Sequence, residues 1–225
     1  MTIHTANPKV AKAYRGIAME GFIAKWYNKT ARRDAEFKAL ASKVSRTVPA
    51  GSHVLEVAPG PGFLSIEIAK SGKYHVTGLD ISRTFVEIAR TNARQAGVQI
   101  DFRHGNASDM PFADETFDFI ICTAAFKNFT QPVRAIAEMC RVLTPGGQAL
   151  IADLRRDASR ADVDQMVSEM NLNRVNAFMT RSAFHVMLLK TAYTSDEIRR
   201  FAAQTPFRQC DIHPNTVGME IWLTK

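Results

Sequence analysis

The sequence predicts an α/β domain with a mostly parallel sheet, and three observations lead to this fold class. From residue 53 onward, short apolar runs of strand character alternate with amphipathic helical segments. The run at residues 117–122 is almost continuously apolar, as in a strand buried on both faces of a sheet. The last two predicted strands, at residues 208–213 and 219–223, are joined by a short connection and should therefore pair antiparallel.

The remaining elements continue this alternation. Further strands are predicted at residues 53–57, 75–79, 99–103 and 148–153, with helices at 64–70, 82–97 and 132–143 and a turn at 144–147. Residues 154–206 are longer than a simple crossover requires and contain helical patterns at 162–170, 174–189 and 196–203. Thr194 and Glu197 have the spacing of a capping box, which sets the start of the last helix. We find no internal repeat and no sign of a second domain.

Length and composition fit one domain with its own hydrophobic core, since the chain has 225 residues and is 46% hydrophobic. No apolar run approaches the ~18 residues of a membrane span, and residues 1–10 lack the apolar core of a secretory signal. The three cysteines are too few and too scattered for a disulfide framework or a zinc site. We therefore expect a cytoplasmic protein without a bound metal, in which Cys122 and Cys140 are simply buried.

A glycine-rich loop after the first strand is the strongest single signal. Gly60 and Gly62 let a ligand approach the backbone closely, but the dinucleotide pattern G-x-G-x-x-G would need a third glycine where Ser65 stands. Glu56 lies just before the loop and is poorly placed for a ligand with a pyrophosphate. Asp80 ends the next strand, where a carboxylate can accept hydrogen bonds from two ribose hydroxyls. The pattern favours a ligand with a ribose and a cationic part, which S-adenosylmethionine (SAM) provides.

In its motif blocks the chain resembles the class I SAM-dependent methyltransferases, specifically the ubiquinone/menaquinone-biosynthesis (type 11) branch. The resemblance covers about residues 52–225, and its blocks are residues 54–62, 78–82, 105–112, 117–129 and 143–147. Ala58 departs from the family, which usually has its first glycine there. The resemblance implies a Rossmann-like seven-stranded sheet of order 3-2-1-4-5-7-6, with the last strand antiparallel, helices on both faces and an N-terminal helical lid. It also implies SAM as cofactor and S-adenosylhomocysteine as product.

The resemblance further assigns residues to the cofactor. Glu56 and the glycine loop would surround the methionine part of SAM, with Glu56 near its ammonium group. Asn106 stands where the family commonly has an aspartate on the adenine amino group; its amide oxygen can accept from that group, although a plain Asx turn is the alternative. The backbone of Cys122 and Thr123 ends a central strand, where ligands of such sheets sit. The expected cofactor-binding set is Glu56, Ala58, Pro59, Gly60, Gly62, Asp80, Ile81, Ser82, Asn106, Ala107, Cys122 and Thr123.

The acceptor is expected to be a small or medium hydrophobic molecule; a quinone-like or phenolic one is implied by the resemblance alone. Adenine and cytosine N-methyltransferases carry an Asn/Asp-Pro-Pro-aromatic block after the fourth strand, and this chain has none. A general base is needed only if the acceptor holds its proton at neutral pH, and the candidates are His185, Tyr27 and Asp153. Asp153 could instead form a local charge cluster with Arg155 and Arg156. The expected pocket is lined by Trp26, Tyr27, Phe126, Asn128, Phe184 and His185, partly from a helical insertion at 155–206.

The net charge of +7 lies in the first 50 residues, which hold ten Lys and Arg against three acids. The helical pattern of this arm, which includes a second helix at 32–46, leaves two interpretations open. The helices could pack on the domain with their lysines in water. Alternatively, residues 1–51 form a lid over the acceptor pocket whose charge attracts an anionic acceptor or an anionic membrane. We do not expect nucleic acid as a partner, because the arm has no evident recognition motif.

Two rival functions from other classes also remain open. An NAD-dependent oxidoreductase is disfavoured by Ser65 and by the position of Glu56. A SAM-binding module without catalysis, such as a regulatory subunit, would carry the same binding residues. The oligomeric state is not indicated by the sequence.

Overall fold

The computed structural model describes residues 14–15, 19–30, 33–170, 173–184 and 188–225. Its strands are β1 His53–Val57, β2 His75–Asp80, β3 Asp101–His104, β4 Phe117–Thr123, β5 Leu143–Leu154, β6 Gln209–Pro214 and β7 Gly218–Thr224. Its helices are α1 Gly21–Thr30, α2 Asp34–Thr47, α3 Phe63–Ala69, α4 Arg83–Gln95, α5 Pro132–Val142, α6 Arg160–Glu169, α7 Arg174–Ala183, α8 Leu189–Thr191 and α9 Ser195–Ala202. A 3-10 turn, Phe126–Asn128, lies between β4 and α5.

The strands form one seven-stranded sheet in the order β3-β2-β1-β4-β5-β7-β6, which confirms the predicted order. β7 pairs antiparallel with β5 and β6, and the other pairs are parallel. In the middle of the sheet, Val57 is level with Leu79 of β2 and with Cys122 of β4. The carboxyl ends of β1, β2 and β4 therefore meet at one edge of the sheet, where open α/β sheets bind their ligands.

Helices cover both faces of the sheet, because alternate strand residues point to opposite sides. Leu55 and Ile120 belong to a core that includes residues of α5 and α9. Val54 and Phe119 belong to a second core, which includes residues of α2 and α3. Cys122 and Cys140 are fully buried, as predicted. None of the helices in the described part of the chain is long and apolar enough to cross a membrane.

The turn predicted at residues 144–147 is wrong, because this segment is an irregularity within β5. Pairing with β4 shifts from Phe117–Leu143 to Phe119–Gln148, so the intervening residues bulge out of register. Gly146 takes a positive φ of 78°, and a Cβ on Gly147 would lie 2.9 Å from the carbonyl oxygen of Thr144. Glycines that permit a turn also permit a bulge, so the glycine pair alone does not distinguish the two structures.

The segment between β5 and β6 is helical, as predicted, but its helices have other bounds. The capping box at the start of α9 is confirmed, with Thr194 and Glu197 each bonded to the other's backbone N–H. A second box, between Ser159 and Asp162, starts α6 earlier than predicted. α7 and α8 lie within or overlap the helix predicted at 174–189, and residues 185–187 of that prediction lie outside the described residues.

The basic arm contributes two helices to the fold. The helix predicted at 32–46 corresponds to α2, which packs on α3. α1 packs on α4, where the rings of Tyr27 and Phe85 meet edge to face at 5.8 Å. The side-chain amide of Asn92 in α4 donates to Asn28 of α1 at 3.0 Å and to the carbonyl of Pro61 at 2.9 Å. Asn92 thereby joins the arm to the glycine loop.

Candidate active site

The glycine loop connects β1 to α3 through a succession of left-handed residues. Ala58, Gly60 and Gly62 have φ values of 58°, 54° and 81°. An added Cβ on Gly60 would meet no atom within 4 Å, whereas one on Gly62 would lie 2.8 Å from the ring of Phe102. Gly60 therefore leaves room for a ligand, and Gly62 permits close packing of the helix on the sheet. The adjoining Pro59 is buried.

Asp80 is a buried carboxylate, 5% exposed, at the end of β2. It accepts the backbone N–H groups of Gly60 at 2.9 Å and Ser82 at 2.8 Å. Burial raises the pKa of Asp80 to about 6, although the Ser82 and Gly60 hydrogen bonds oppose the rise. Each carboxylate oxygen has a second lone pair, so the arrangement can still accept two hydroxyl donors.

Glu56 lies on β1 and is 2% exposed. Its carboxylate accepts a hydrogen bond from the hydroxyl of Ser65 in α3. Burial raises the pKa of Glu56 to about 7, the Ser65 hydrogen bonds lower it, and the charge of Asp80 adds to the rise. Ser65 thus binds the Glu56 carboxylate. The sequence did not predict this contact, because in the sequence Ser65 is only the residue that replaces the third glycine of the dinucleotide pattern.

The segment after β3 forms a tight turn around Asn106. Its side-chain oxygen accepts the backbone N–H of Ser108 at 2.9 Å, which is the Asx turn considered as an alternative for this residue. A second lone pair remains on that oxygen, so the turn and a ligand contact are compatible. Ala107 is half-buried against the main core. Ile81, 37% exposed, follows Asp80, and Ser82 caps α4 by accepting from Phe85.

The carboxyl end of β4 brings several buried charges together. The pKa of the Cys122 thiol is raised well above its usual range by burial first, then by the charges of Asp153 and Glu56, while Lys127 lowers it. Asp80 raises this pKa as well, so all four charged side chains act on the end of β4. The sequence-predicted Glu56, Asp80 and Asp153 do come together. Within the described residues no group of three or more His, Cys, Asp or Glu side chains is arranged to hold a metal ion.

Asp153 is not a free carboxylate, because it is paired with Lys127. Lys127 Nζ lies 3.1 Å from Asp153 Oδ1, and the Lys127 backbone N–H donates to Oδ2 at 2.8 Å. The predicted charge cluster of Asp153 with Arg155 and Arg156 is wrong, because those arginines pair with other acids. Lys127 was missed, although a lysine in an apolar block directly after a buried strand was an available signal.

The predicted acceptor-pocket residues have different surroundings. Phe126 is only 1% exposed and packs on Phe129 and Tyr193, so its side chain belongs to the core rather than to a pocket wall. Phe184 is half-buried against a separate helical cluster around Val163. Trp26, 57% exposed, lies on the outer face of α1. Tyr27 packs on α4, Asn128 is half-buried in the 3-10 turn, and His185 lies outside the described residues.

The arm contacts the loops after β2 and β4. Glu20 accepts the backbone N–H groups of Arg83 at 3.0 Å and Thr84 at 3.1 Å, and the Ser82 hydroxyl donates to the carbonyl of Met19 at 2.7 Å. At the other loop, the Arg15 N–H donates to the carbonyl of Asn128 at 2.7 Å. The arm therefore touches both sides of the carboxyl edge of the sheet.

Tyr14 is a further arm residue at this edge. It forms a β-bridge with Phe129 after β4. Burial raises the pKa of its hydroxyl, and Asp80, Tyr27 and Asp153 raise it further. Tyr14, Met19 and Glu20 were not predicted, because their partners are distant in sequence.

Comparison with known proteins adds an independent line of evidence. A family model described as a methyltransferase domain matches residues 54–147. The demethylmenaquinone methyltransferase of Deinococcus radiodurans is 34% identical over 129 residues, which are 57% of this chain and 51% of that protein. The chain therefore spans about half the length of this curated relative. An O-methyltransferase, resE, of Aspergillus sclerotiorum is 28% identical over 78% of this chain and 69% of its own.

The fold has counterparts among solved structures. A SAM-dependent methyltransferase from Aquifex aeolicus superposes with a TM-score of 0.69, covering 91% of this chain and 99% of its own at 16% identity. At that identity the likeness concerns the fold alone.

Proposed function

We propose that this chain is a class I SAM-dependent methyltransferase, which transfers the methyl group of SAM to a small or medium hydrophobic acceptor. The observation that carries the proposal is the pair of buried carboxylates, Glu56 and Asp80, at the ends of adjacent strands. A ligand with an ammonium group and a ribose supplies one cation and two hydroxyl donors, which match these two acceptors.

The cofactor contacts are part of the proposal. Asp80 would accept the two ribose hydroxyls while keeping its hydrogen bonds to Gly60 and Ser82, and Glu56 would take the ammonium group. Asn106 would accept from the adenine amino group. The further contacts would come from Ala58, Pro59, Gly62, Ile81, Ala107 and the backbone of Cys122 and Thr123.

Methyl transfer requires little from the protein beyond positioning the acceptor and the cofactor. When bound, SAM supplies a methyl group activated by a positively charged sulfur. The chain's own residues would hold the acceptor in line with that methyl group and exclude water. If the acceptor must lose a proton, Tyr27 and His185 stay candidate bases. Asp153 is less suited to this role, because its carboxylate already binds Lys127.

The acceptor class is supported by the names of two relatives. One acts on demethylmenaquinone and the other is an O-methyltransferase. These names favour a quinone-like or hydroxyl-bearing acceptor, and the methylated atom stays open among oxygen, carbon, sulfur and nitrogen. We divide the chain into the arm, residues 1–51, and the main domain, residues 52–225. We propose that the acceptor pocket lies between the arm and the helical insertion at 155–206 of the main domain. The contacts of Met19 and Glu20 with the loop after Asp80 support a lid role for the arm.

We also propose that the arm meets an anionic membrane. Phe22 and Trp26 of α1 are 82% and 57% exposed, and Lys25 and Lys29 lie on the same face of the helix. Aromatic side chains flanked by lysines suit the interface of an anionic bilayer. In sedimentation with phosphatidylglycerol vesicles, the parent protein should pellet with the vesicles, and a Phe22→Ser/Trp26→Ser variant should stay in the supernatant. Equal recovery of both proteins would contradict the proposal.

Calorimetry followed by a turnover screen tests the function. We expect SAM and S-adenosylhomocysteine to bind and NAD not to bind. A screen over phenols, quinols, thiols and amines should then release S-adenosylhomocysteine with at least one class. Binding without any turnover would favour the alternative of a non-catalytic SAM-binding module, and tighter binding of NAD would overturn the proposal.

A further inference from the structure

A buried ion pair lies at the carboxyl ends of β4 and β5, beside the proposed reaction centre. The side chains of Lys127 and Asp153 are 9% and 3% exposed. The Asp153 carboxylate also accepts the backbone N–H groups of Lys127 and Leu154, both at 2.8 Å. Removing two charges from water is costly, and a buried pair is often no more stable than an uncharged replacement. A contribution to stability is therefore a weak explanation for the presence of this ion pair.

The ion pair fixes the backbone that follows β4. Lys127 Nζ donates to the carbonyl oxygen of Ala124 at 2.8 Å. Ala124 has a φ of 54°, in the left-handed region that is unfavourable for a residue with a Cβ. Its N–H donates to the carbonyl of Ala152 at 2.8 Å. The surrounding hydrogen bonds thus hold a strained residue in place, and such strain clusters at functional sites.

The held segment, residues 124–128, lies between the cofactor side and the arm. Thr123 precedes it and ends β4 at the edge where Glu56 and Asp80 lie. At its other end, the carbonyl of Asn128 accepts the N–H of Arg15 at 2.7 Å. A shift of this segment would move the boundary between the proposed cofactor and acceptor sites.

We propose that Lys127 and Asp153 are positioning residues that hold segment 124–128 in the conformation required to place the acceptor against the cofactor. The inference rests on the proposed function, because it needs a methyl acceptor on this side of β4. SAM affinity should depend mainly on Glu56 and Asp80. Transfer needs reacting atoms about 3–3.5 Å apart, and a displacement of about 1 Å can lower the rate on the order of 100-fold.

Three variants separate positioning from stability. Lys127→Met and Asp153→Asn each leave one buried charge without its partner and should lower the urea midpoint. The double variant removes both charges, and the amide oxygen at position 153 keeps one of the two backbone N–H hydrogen bonds, which go to different oxygens in the parent. Its midpoint should therefore return toward that of the parent. An exposed pair in β3 gives the matched control, Asp101→Asn/Arg103→Met, which should change neither stability nor turnover much.

The positioning role predicts that the double variant regains stability without regaining activity. With the best acceptor of the screen, its kcat should stay at least about tenfold below the parent, while its Kd for SAM changes less than about threefold. Its amides at 124–128 should exchange with solvent faster than in the parent. Recovery of kcat together with stability, or unchanged exchange at these amides, would show that the pair is only structural. Failure of the parent to bind SAM or to turn over would instead count against the proposed function.

Discussion

The backbone N–H of Gly60 donates to Asp80 Oδ2 at 2.9 Å, a contact between residues 20 positions apart. The other oxygen of Asp80 accepts the N–H of Ser82 at 2.8 Å. The carboxylate is thus oriented by the glycine loop on one side and by the start of α4 on the other. A group held in this way needs little reorganisation when a ribose arrives, which favours binding.

Asp80→Ala should weaken SAM binding by about 1.5–3 kcal/mol, because it removes charge-assisted hydrogen bonds to the ribose. Calorimetry at fixed pH measures the change, and circular dichroism checks that the variant is folded. Asp196→Ala is a suitable control, since its side chain is 81% exposed on α9. Unchanged affinity in a folded Asp80→Ala variant would contradict the ribose role.

The raised pKa of Glu56, about 7, predicts that SAM affinity increases between pH 5.5 and 7. A protonated Glu56 is neutral, whereas the ionised form attracts the ammonium group, so binding releases a proton. Affinity should rise on the order of tenfold over this range. Glu56→Gln should bind more weakly at pH 7 and show a smaller rise, to which Asp80 still contributes. A parent protein with pH-independent affinity would disprove the role of Glu56.

The same carboxyl group makes the unliganded protein less stable as pH rises. Below pH 4.5 Glu56 is protonated in both the folded and the unfolded chain and has no effect on the pH dependence. Between pH 4.5 and about 7 only the unfolded chain releases the proton, so the free energy of unfolding falls. Glu56→Gln should accordingly raise that free energy at pH 8 by about 1–3 kcal/mol while weakening SAM binding. Urea denaturation at pH 5 and pH 8 measures the difference, which should be smaller at pH 5.

Ala58→Gly should stabilise the unliganded protein by about 0.5 kcal/mol. A left-handed alanine costs about 1–2 kcal/mol, and the entropy lost by a glycine offsets part of the gain. Ala125→Gly is the matched control, because Ala125 has a φ of −126° and should only lose stability. Thermal unfolding of both variants compares them, and a destabilised Ala58→Gly would mean that the Cβ packing outweighs the strain.

The fold was predictable because its signals are local. The central strands β1, β4 and β5 contain apolar runs, and the short connection after β6 predicts the antiparallel hairpin. Asp80 was predictable for a similar reason, since an acid at the end of the second strand has a fixed place relative to the glycine loop. The strain at Ala58 was not foreseen, because its φ depends on the path of the loop rather than on residue type.

The parts of the site that were not predicted from the sequence depend on contacts between residues that are distant along the chain. Ser65 and Glu56 lie on different elements, and Lys127 meets Asp153 only because β4 and β5 are neighbours in the sheet. Glu20 caps α4 from more than 60 residues away. Side-chain periodicity contains no information about such pairs, so the sequence predicted the position of the site better than its internal hydrogen bonds.

Tyr193→Phe should leave stability unchanged or raise it by up to about 1 kcal/mol. Tyr193 is 7% exposed, and its hydroxyl has no hydrogen-bond partner among the described residues. Removing a buried hydroxyl without a partner relieves a desolvation cost, whereas removing a bonded one loses about 1 kcal/mol. Tyr74→Phe is the contrasting variant, because the Tyr74 hydroxyl donates to the carbonyl of Val48 at 3.1 Å. Removing this hydroxyl should lower the free energy of unfolding. Urea denaturation of both variants decides the matter: if Tyr193→Phe loses as much stability as Tyr74→Phe, the Tyr193 hydroxyl is satisfied in solution.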